Sequence, residues 1–441
     1  MDQTIAEILE FVEENDIKFI KLQFCDIFGE LKNISIMSRQ LKKAFLHGIS
    51  FDASSVKGFL NIEESDLFLF PDPSTLTILP WRPQEGRVAR FFCYIKTPDG
   101  KIFDGDSRQV LANAVQELRD LGYTAKIGPE CEFYLFKTDD EGEPILIPHD
   151  TAGYFEVAPF DKGENIRREI CLTLEEMGLK PETSHHESGP GQNEIDFKYD
   201  DPLISADNSI TFKNVIKTIS SLNGLHASFM PKPIMNKSGS GLHINISIEK
   251  ENKNLFHNED DGIHSAEAES FIAGIMGRMR EITAILNPTV NSYKRFGAYE
   301  APKYVTWSHK NRSQLIRIPA STGIYSRMEL RSPDSTCNPY LAFAVLLYAG
   351  MEGIKEKKVL PKAVEGNLYN IQIDKQEKLP SNLKEALDEM ADSQFVKEVL
   401  GDFIYNKFLR NKYNEWKDYE GKVATHSEIS EWEMNNYFYK L

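Results

Sequence analysis

The sequence predicts an α+β protein with a small amino-terminal domain and a larger second domain. The 441 residues are too many for one ordinary hydrophobic core, so at least two domains are expected. Residues 1 to about 100 combine a few strand-like and helix-like runs, and the remainder mixes both kinds again. The turn "PDGKIFDGD" at 98–106 suits a boundary, which gives predicted domains of residues 1–103 and 104–441.

The first domain is predicted to begin with a helix, because Ile5, Ile8, Leu9 and Val12 recur at helical spacing. A strand follows and turns at Gly29. The elements predicted after that turn are a strand at 31–37, a short helix at 38–48, a loop at 49–59, and strands at 65–72 and 87–97.

Four strand-like segments of the second domain share one feature, an apolar face opposite a polar one. Side chains alternate between the two faces of a strand, so residues two apart point the same way. The polar faces carry Glu130 and Glu132; Glu194, Asp196 and Lys198; His243, Asn245 and Ser247; and Arg327, Glu329 and Arg331. The helices predicted to cover the apolar faces lie at 208–225, 266–286 and 338–357. If the four strands share a sheet, their polar faces line one cavity.

The composition excludes several classes of protein. A formal net charge of −16 argues against nucleic-acid and anionic-membrane binding. Five cysteines without paired spacing give no zinc or disulfide motif and suit a reducing compartment. The amino-terminal stretch is acidic, unlike a signal peptide, and no apolar run is long enough for a membrane span. A cytoplasmic protein is therefore predicted.

The predicted cavity has the residue types of a metal-dependent site for anionic substrates. Five carboxylates and one imidazole are available to hold two Mg²⁺ or Mn²⁺ ions, namely Glu130, Glu132, Glu187, Glu194, Glu329 and His243. Five arginines suited to phosphate or carboxylate fall close together in the chain, namely Arg295, Arg312, Arg317, Arg327 and Arg331. Singly, each of these residues is more often an ordinary solvated or ion-paired side chain. The set indicates a metal-dependent enzyme, with phosphoryl transfer as one possibility, although neither a P-loop nor a G-x-G-x-x-G motif is present.

Eight segments in series resemble type I glutamine synthetases, in their Gram-positive or archaeal-like form, over essentially the whole chain. They are "FDASS" (51–55), "PECEFYLF" (129–136), "GYF" (153–155), "HHESGPGQNEIDF" (185–197), "SGSGLHINIS" (238–247), "NSYKRF" (291–296), "NRSQLIRIP" (311–319) and "RMELRSPDSTCNPYLAFA" (327–344). The resemblance implies a β-grasp amino-terminal domain and a catalytic domain whose curved antiparallel sheet forms an open barrel backed by helices. It also implies twelve subunits in two stacked hexameric rings, with active sites between subunits.

The implied reaction joins ammonia to L-glutamate at the expense of ATP. The γ-carboxylate attacks the γ-phosphate to give γ-glutamyl phosphate and ADP, and ammonia then displaces phosphate. Phosphate leaves an acyl carbon readily, whereas oxide does not. Two or more Mg²⁺ or Mn²⁺ ions are the implied cofactors, and ATP is the co-substrate.

The resemblance also assigns roles to individual residues. One metal would be held by Glu132, Glu187 and Glu194, and the metal nearer the nucleotide by Glu130, His243 and Glu329. Glutamate would contact Ser238, Gly239, Arg295 and Arg331. ATP would contact Glu182, Asn245, Ser247, Arg312, Arg317 and Arg327, with Arg312 and Arg317 on the transferring phosphate. Ammonium would be held by Asp52, Ser55, Tyr154 and Glu187, with Asp52 from a neighbouring subunit as proton acceptor. Glu300 would shield the acyl phosphate from water.

Three positions depart from the family pattern. Ala53 replaces the usual glycine of "FDGSS", and Ser238 replaces an asparagine that contacts glutamate. Asn61 stands where Gram-positive relatives often have a glutamine-sensing arginine, which predicts weak direct inhibition by glutamine.

Three alternatives to a dedicated glutamine synthetase remain. The first is a γ-glutamyl-amine ligase of the same fold that uses a polyamine or another amine; the retained Asp52, Ser55 and Tyr154 favour ammonia over it. The second is a catalytically dead relative kept for binding or structure, and the six intact metal-ligand candidates argue against it. The third is an enzyme that also sequesters a nitrogen-regulatory protein.

Overall fold

A computed structural model describes residues 3–60, 65–257, 264–370 and 376–441. The feedback prediction made for Asn61 lies outside the described residues. The helices are α1 (Gln3–Glu14), α2 (Leu41–His47), α3 (Ser107–Asp120), α4 (Glu164–Glu176), α5 (Pro202–Leu222), α6 (Ala266–Leu286), α7 (Pro339–Glu356), α8 (Leu383–Ala391), α9 (Gln394–Lys422) and α10 (Glu431–Glu433). None of the described helices is long and apolar enough to cross a membrane.

The strands form two sheets. The first contains β1 (Ile17–Cys25), β2 (Leu31–Met37), β3 (Ile49–Asp52), β4 (Asp66–Pro71), β5 (Thr77–Ile78) and β6 (Arg87–Lys96). The second contains β7 (Tyr123–Thr138), β8 (Pro144–Pro148), β9 (Pro181–His186), β10 (Gln192–Phe197), β11 (Leu225–Ser228), β12 (Leu242–Lys250), β13 (Lys253–Asn254), β14 (Trp307–His309), β15 (Ile316–Ile318) and β16 (Met328–Leu330). The predicted α+β class is confirmed.

The first sheet is mixed and runs in the order β2-β1-β6-β4-β3, with β5 beside β6. Strand β1 is antiparallel to β2, which follows it after a short turn. It is parallel to β6, which lies far along the chain, as expected because parallel strands need a long connection. The loop predicted over 49–59 is partly wrong, because β3 occupies its first four residues and pairs with β4. A strand of four residues is too short for an alternation of polar and apolar side chains to be recognised in the sequence. Its backbone is held by pairing with β4.

The second sheet runs in the order β14-β15-β16-β12-β7-β10-β9. The four strands with predicted polar faces are therefore consecutive neighbours, β16, β12, β7 and β10. Register places His243 of β12 beside Glu130 of β7, and Glu132 of β7 beside Glu194 of β10. Strand β10 ends at Phe197, so Lys198 does not continue the polar face as predicted. Strand β16 spans only Met328–Leu330, so Arg327 and Arg331 flank it rather than lie on it. The sheet gathers the remaining polar residues on one surface.

The three helices predicted to cover the apolar face are α5, α6 and α7. Helix α7 is buried over most of its surface, which is typical of a core helix. It packs closely on α6 at two glycines, Gly274 and Gly353. A Cβ on Gly274 would lie 2.1 Å from the Ala349 carbonyl oxygen, and one on Gly353 would lie 2.0 Å from that of Ser270. Any larger residue at either glycine would force these helices apart.

The turn between β1 and β2 packs on the amino end of α7. Asn338 caps this helix by accepting the Tyr340 backbone N–H at 3.0 Å, and its amide donates to the carbonyl oxygens of Asp26 and Ile27, both at 3.3 Å. Gly29 has a φ of +83°, and a Cβ there would lie 2.7 Å from the Asn338 Cα. These contacts attach the first sheet to the helical layer behind the second sheet.

Asp26, in the same turn, is expected to make folding stability depend on pH. Its Oδ1 accepts the backbone N–H groups of Phe28 and Glu30 at 2.9 and 3.0 Å, while burial and the Glu30 charge raise its pKa from 3.8 to about 6. A folded pKa above the unfolded one means that folding takes up a proton between those values. The destabilisation by ionised Asp26 is therefore absent below about pH 4, grows as the pH rises, and is complete above about pH 6.

The substitution Asp26→Asn keeps the Oδ1 acceptor and removes the charge, so it should stabilise the protein at pH 7 by at most about 3 kcal/mol. Denaturant unfolding of both proteins at pH 4 and pH 7 measures this gain. Asp139→Asn is the matched control, since Asp139 accepts two similar backbone bonds in an exposed turn. A variant no more stable than wild type at pH 7 would contradict the assignment.

Candidate active site

One end of the polar sheet face brings together Glu130, His243 and Glu329. The His243 Nδ1 lies 3.4 Å from Glu130 Oε2 and 3.6 Å from Glu329 Oε1. The three residues come from β7, β12 and β16, so the sheet itself sets their separation. Their potential ligand atoms lie within 4.8 Å of one another, which suits one cation.

A second group lies toward β9 and β10 and contains His185, Glu187 and Glu194. His185 Nε2 lies 3.5 Å from Glu187 Oε1. Sequence reasoning placed Glu132, not His185, with these two glutamates. Glu132 Oε2 already accepts the Gln192 amide at 3.1 Å and the Gly241 backbone N–H at 2.9 Å, and its Oε1 lies 4.0 Å from His243 Nε2. Glu132 thus stands between the two groups, and its metal role stays a prediction.

The pKa of Glu130 in the first group is shifted in the opposite direction from the pKa values of Glu187 and Glu194 in the second. Although burial opposes it, the hydrogen bond and charge of His243 lower the pKa of Glu130 to about 2. Burial and the Glu132 charge raise the pKa of Glu187 to about 7. Burial and the Asp196 charge also raise the pKa of Glu194. Negative charge is therefore concentrated at the second group, and bound cations would suit it.

Asp196 is an acidic neighbour that the sequence placed on this face without assigning it a role. Burial and the Glu130 charge raise its pKa to about 6. Its Oδ1 is buried and makes no hydrogen bond within the described part of the chain. An uncompensated buried carboxylate oxygen beside these groups again fits divalent cations better than protein donors.

Arginines surround the carboxylate of Glu329. Arg317 Nε lies 2.6 Å from Glu329 Oε2, and Arg331 pairs with Oε1. Arg331 also lies 3.3 Å from the Glu300 carboxylate, which is 3.6 Å from Arg312. A metal ion at His243 would therefore share the Glu329 carboxylate with two guanidinium groups. The alternation of side chains along the strands did not predict these ion pairs.

Arg295 lies beside the segment that carries Ser238 and Gly239. It is buried, and its Nη1 donates to the carbonyl oxygens of Ser332 and Pro333 at 2.9 and 3.2 Å. A Cβ on Gly239 would lie 2.6 Å from the Arg295 Cγ, so only glycine fits there without a shift. The buried Nε of Arg295 makes no hydrogen bond to another described residue.

A separate cleft of about 230 Å³ lies at the Glu130 end of the sheet. Four residues predicted to bind ATP line it, namely Glu182, Asn245, Ser247 and Arg327. Arg327 Nε donates to the Asn245 Oδ1 at 2.8 Å, and the Asn245 amide donates to Glu130 at 2.9 Å. Ile324 and Tyr325 add an apolar wall suited to a planar base. Arg312 and Arg317 do not line this cleft but lie on the Glu300 and Glu329 side.

The predicted ammonium residues are not all brought together within one chain. Asp52 is exposed at the end of β3, where Ser54 donates to it from its backbone and hydroxyl at 2.8 and 2.7 Å and lowers its pKa. Tyr154 stacks on Phe155, with ring centroids 3.9 Å apart, and meets His185 edge-on. Within the described ranges no hydrogen bond or ion pair joins Asp52 or Ser55 to Tyr154 or Glu187.

Behind the second group lies a buried ion-paired network that sequence reasoning missed. His186 has Nε2 2.9 Å from Asp150 Oδ1 and Nδ1 2.6 Å from the Glu187 carbonyl oxygen. Although burial opposes it, the hydrogen bond to Asp150 and its charge raise the pKa of His186, whose two ring nitrogens both face acceptors. Asp161 pairs with Arg167 at 2.6 Å. Both acids thus have partners within the chain, and the network holds the backbone that carries Glu187.

Comparison with known proteins matches both parts of the chain to one family. The model described as "Glutamine synthetase, beta-Grasp domain" matches residues 16–98, and "Glutamine synthetase, catalytic domain" matches 104–437. A glutamine synthetase of Clostridium saccharobutylicum is 49% identical over 445 aligned positions, covering 99% of each chain. One from Methanosarcina mazei is 47% identical, covering 99% of this chain and 98% of that one.

Solved structures agree with the sequence relatives. A structure titled as a GmaS/ADP complex has a TM-score of 0.85 at 29% identity, covering 97% of this chain and 98% of the other. An apo GmaS structure matches equally well. The β-grasp first sheet and the curled second sheet are therefore those of this family, as the sequence predicted.

Proposed function

The chain belongs to the glutamine synthetase family and is an ATP-dependent ligase, and we propose that its polar sheet face joins ammonia to L-glutamate. The observation that carries this proposal is the continuity of the face. The cleft lined by Arg327 meets Glu130 at one end, and the buried Arg295 and Gly239 lie toward the other. A phosphate donor and a carboxylate acceptor could thus meet over the carboxylate groups between them.

Two divalent cations, Mg²⁺ or Mn²⁺, fit the carboxylate groups. Glu130, His243 and Glu329 would hold one, and Glu187 and Glu194 would hold the other, with Glu132 and His185 as its candidate third ligands. When bound, such ions screen the negative charge of phosphate and carboxylate oxygens. The raised pKa values of Glu187 and Glu194 and the unpaired Asp196 oxygen support this assignment.

The side chains of this chain position the reactants. Glu182, Asn245, Ser247 and Arg327 would hold the nucleotide, and Ser238, Gly239, Arg295 and Arg331 would hold glutamate. Arg312 and Arg317 would contact the phosphate in transit. A γ-carboxylate oxygen then bonds to the γ-phosphorus as the bond to ADP breaks. Ammonia next bonds to the acyl carbon, and phosphate leaves with that oxygen.

Glu300 would exclude water from the acyl phosphate, since it lies beside Arg312 and Arg331 on an exposed loop. Asp52 and Ser55 would complete the ammonium site from a neighbouring subunit, with Tyr154 and Glu187 on the other side. This arrangement requires an oligomer, and a dodecamer of two hexameric rings is the form that the family resemblance favours. We also propose, from the sequence, a cytoplasmic location and a domain boundary at 103/104. A nitrogen-regulatory protein partner is proposed from the family resemblance.

Acceptor choice is tested by measuring ADP release and product with ATP and glutamate, adding either ammonium or putrescine. Glutamine should form in proportion to ADP with ammonium, and putrescine should give little ADP. Faster turnover with putrescine would favour the γ-glutamyl-amine ligase, and no turnover with either would favour a catalytically dead relative.

Metal binding is expected to stabilise the folded protein. Carboxylates that converge at the second group repel each other until cations bind, and a ligand that binds only the folded state stabilises it by mass action. At one hundred times the dissociation constant the gain is about 2.7 kcal/mol. Melting curves after chelation and with Mg²⁺ or Mn²⁺ restored measure this gain. A protein that stays active after exhaustive chelation, with no change in melting, would contradict the metal assignment.

A further inference from the structure

The loop that carries Glu300 rests on the segment that carries Ser238 and Gly239. The contact is made by Tyr299, whose hydroxyl donates to the Asn236 carbonyl oxygen at 2.8 Å. The Tyr299 ring also lies beneath the Lys232 ammonium, which is 4.4 Å from its centroid. One side chain thus joins the predicted water shield to the predicted glutamate segment.

The surface that receives Tyr299 is firmly held. Lys232 is buried, its backbone N–H donates to Asn291 Oδ1 at 2.6 Å, and its carbonyl oxygen accepts the Asn291 amide at 3.1 Å. Its ammonium donates to the Lys237 carbonyl oxygen. Tyr134 donates to the Ser238 carbonyl oxygen at 2.6 Å. The segment is therefore a fixed platform for whatever docks on it.

The docking loop is held less firmly. Tyr299 and Glu300 have φ values of +50° and +64°. Residues other than glycine adopt this left-handed conformation at a cost in conformational energy. The Glu300 carboxylate is more than half exposed and meets Arg331 at 3.3 Å and Arg312 at 3.6 Å. The Ala301 carbonyl oxygen accepts the Tyr369 hydroxyl at 3.3 Å. The loop also closes on itself, since the Gly297 N–H donates to the Ala301 carbonyl oxygen at 3.1 Å, and Arg331 donates to the Glu300 carbonyl oxygen at 3.4 Å. Tyr299 supplies its hydrogen bond to the segment that carries Ser238 and Gly239.

We propose that Tyr299 is a positioning residue that couples the glutamate segment to Glu300, an inference that rests on the proposed function. Tyr299 docks on the fixed platform that carries Ser238 and Gly239, and it thereby holds the adjacent Glu300 over glutamate bound there. Tyr299 itself touches no reacting atom. It protects the acyl phosphate indirectly, because it holds Glu300 in the position that excludes water from the bound substrate.

The test compares wild type with Tyr299→Phe, which removes only the hydroxyl, and Tyr299→Leu, which also removes the ring. For Tyr299→Phe the KM for glutamate should rise about fivefold, equivalent to about 1 kcal/mol for one hydrogen bond. The KM for ATP should not change, and more ATP should be hydrolysed per glutamine formed. Tyr299→Leu should show both effects more strongly.

Tyr439→Phe is the matched control, because Tyr439 is similarly exposed and lies near the carboxyl terminus. It should match wild type in both readouts. If Tyr299→Phe and Tyr299→Leu keep the wild-type glutamate KM and the wild-type ratio of ATP to glutamine, the inference is wrong although the proposed function stands. Equal changes in both KM values with a lower melting temperature would also overturn it, since they indicate a structural role. A wild-type protein that forms no glutamine would overturn the proposed function and this inference together.

Discussion

Glu329→Ala is expected to reduce glutamine formation by on the order of 10²–10³-fold, comparable to the loss of one preorganised electrostatic contact in an active site. Glu329 lies 3.6 Å from His243 and forms ion pairs with Arg317 and Arg331. Its removal takes a candidate metal ligand and leaves two guanidinium groups without their carboxylate. Repulsion between the two guanidinium groups should also displace Arg331 from its position beside Glu300.

Stability must be separated from catalysis in this variant. Breaking a buried ion pair by removing one partner costs about 3–5 kcal/mol, so the melting temperature of Glu329→Ala should fall. Glu329→Gln keeps the volume and should fold more stably while remaining impaired. Glu267→Ala is the control, because Glu267 forms a surface ion pair with Lys250 at 2.7 Å, and its activity should stay within about twofold of wild type. A folded Glu329→Gln with wild-type activity would refute the role of Glu329.

Asp52→Ala is expected to slow glutamine formation by on the order of 10²–10⁴-fold, as for loss of a general base. Ammonium must lose a proton before its nitrogen can attack, and Asp52 is the proposed acceptor. Formation of the acyl phosphate should be affected much less. Hydroxylamine, which is largely unprotonated at neutral pH, should therefore restore product formation in this variant.

Asp66→Ala is the matched control for Asp52→Ala. Asp66 is the exposed partner of Asp52 in the register of β3 and β4, so its removal changes the same strand end and the same charge. Its ammonium-dependent rate should stay near that of wild type. Equal losses in both variants, or an unchanged rate in Asp52→Ala, would exclude the specific role of Asp52.

Mixed oligomers test whether Asp52 acts across a subunit boundary. Asp52→Ala and Glu329→Ala chains should each be nearly inactive alone. Assembled together, some sites would combine an intact Asp52 with an intact Glu329 and recover part of the activity. Verified mixed oligomers without recovery would show that the site is not shared in this way.

The sheet could be predicted from sequence because its polar and apolar faces alternate. Glu130 and Glu132 point the same way on any straight strand, and the apolar residues between them require a covered face. The neighbour relations among β16, β12, β7 and β10 depend on long-range pairing, which no local pattern encodes. The sequence therefore predicts which residues lie on the polar face of the sheet. It does not predict the distances between them.

The pairing of charges could not be predicted. Strand alternation put Arg331 and Glu329 on one face but did not show that Arg317, from a different strand, neutralises the second oxygen of Glu329. His185 was missed because it lies on β9, which ends one residue before Glu187 and whose polar sequence shows no apolar face. The Tyr299 contact depends on two loops, and loop conformation is set by tertiary contacts more than by residue pattern.

The central claim is that a glutamate oxygen passes to phosphate through an acyl phosphate, and oxygen labelling tests it most directly. Glutamate carrying ¹⁸O in its γ-carboxylate would be incubated with unlabelled ATP, ammonium and Mg²⁺ in unlabelled water. The account predicts one labelled oxygen in inorganic phosphate for each glutamine formed. Glutamine formed together with unlabelled phosphate would contradict it.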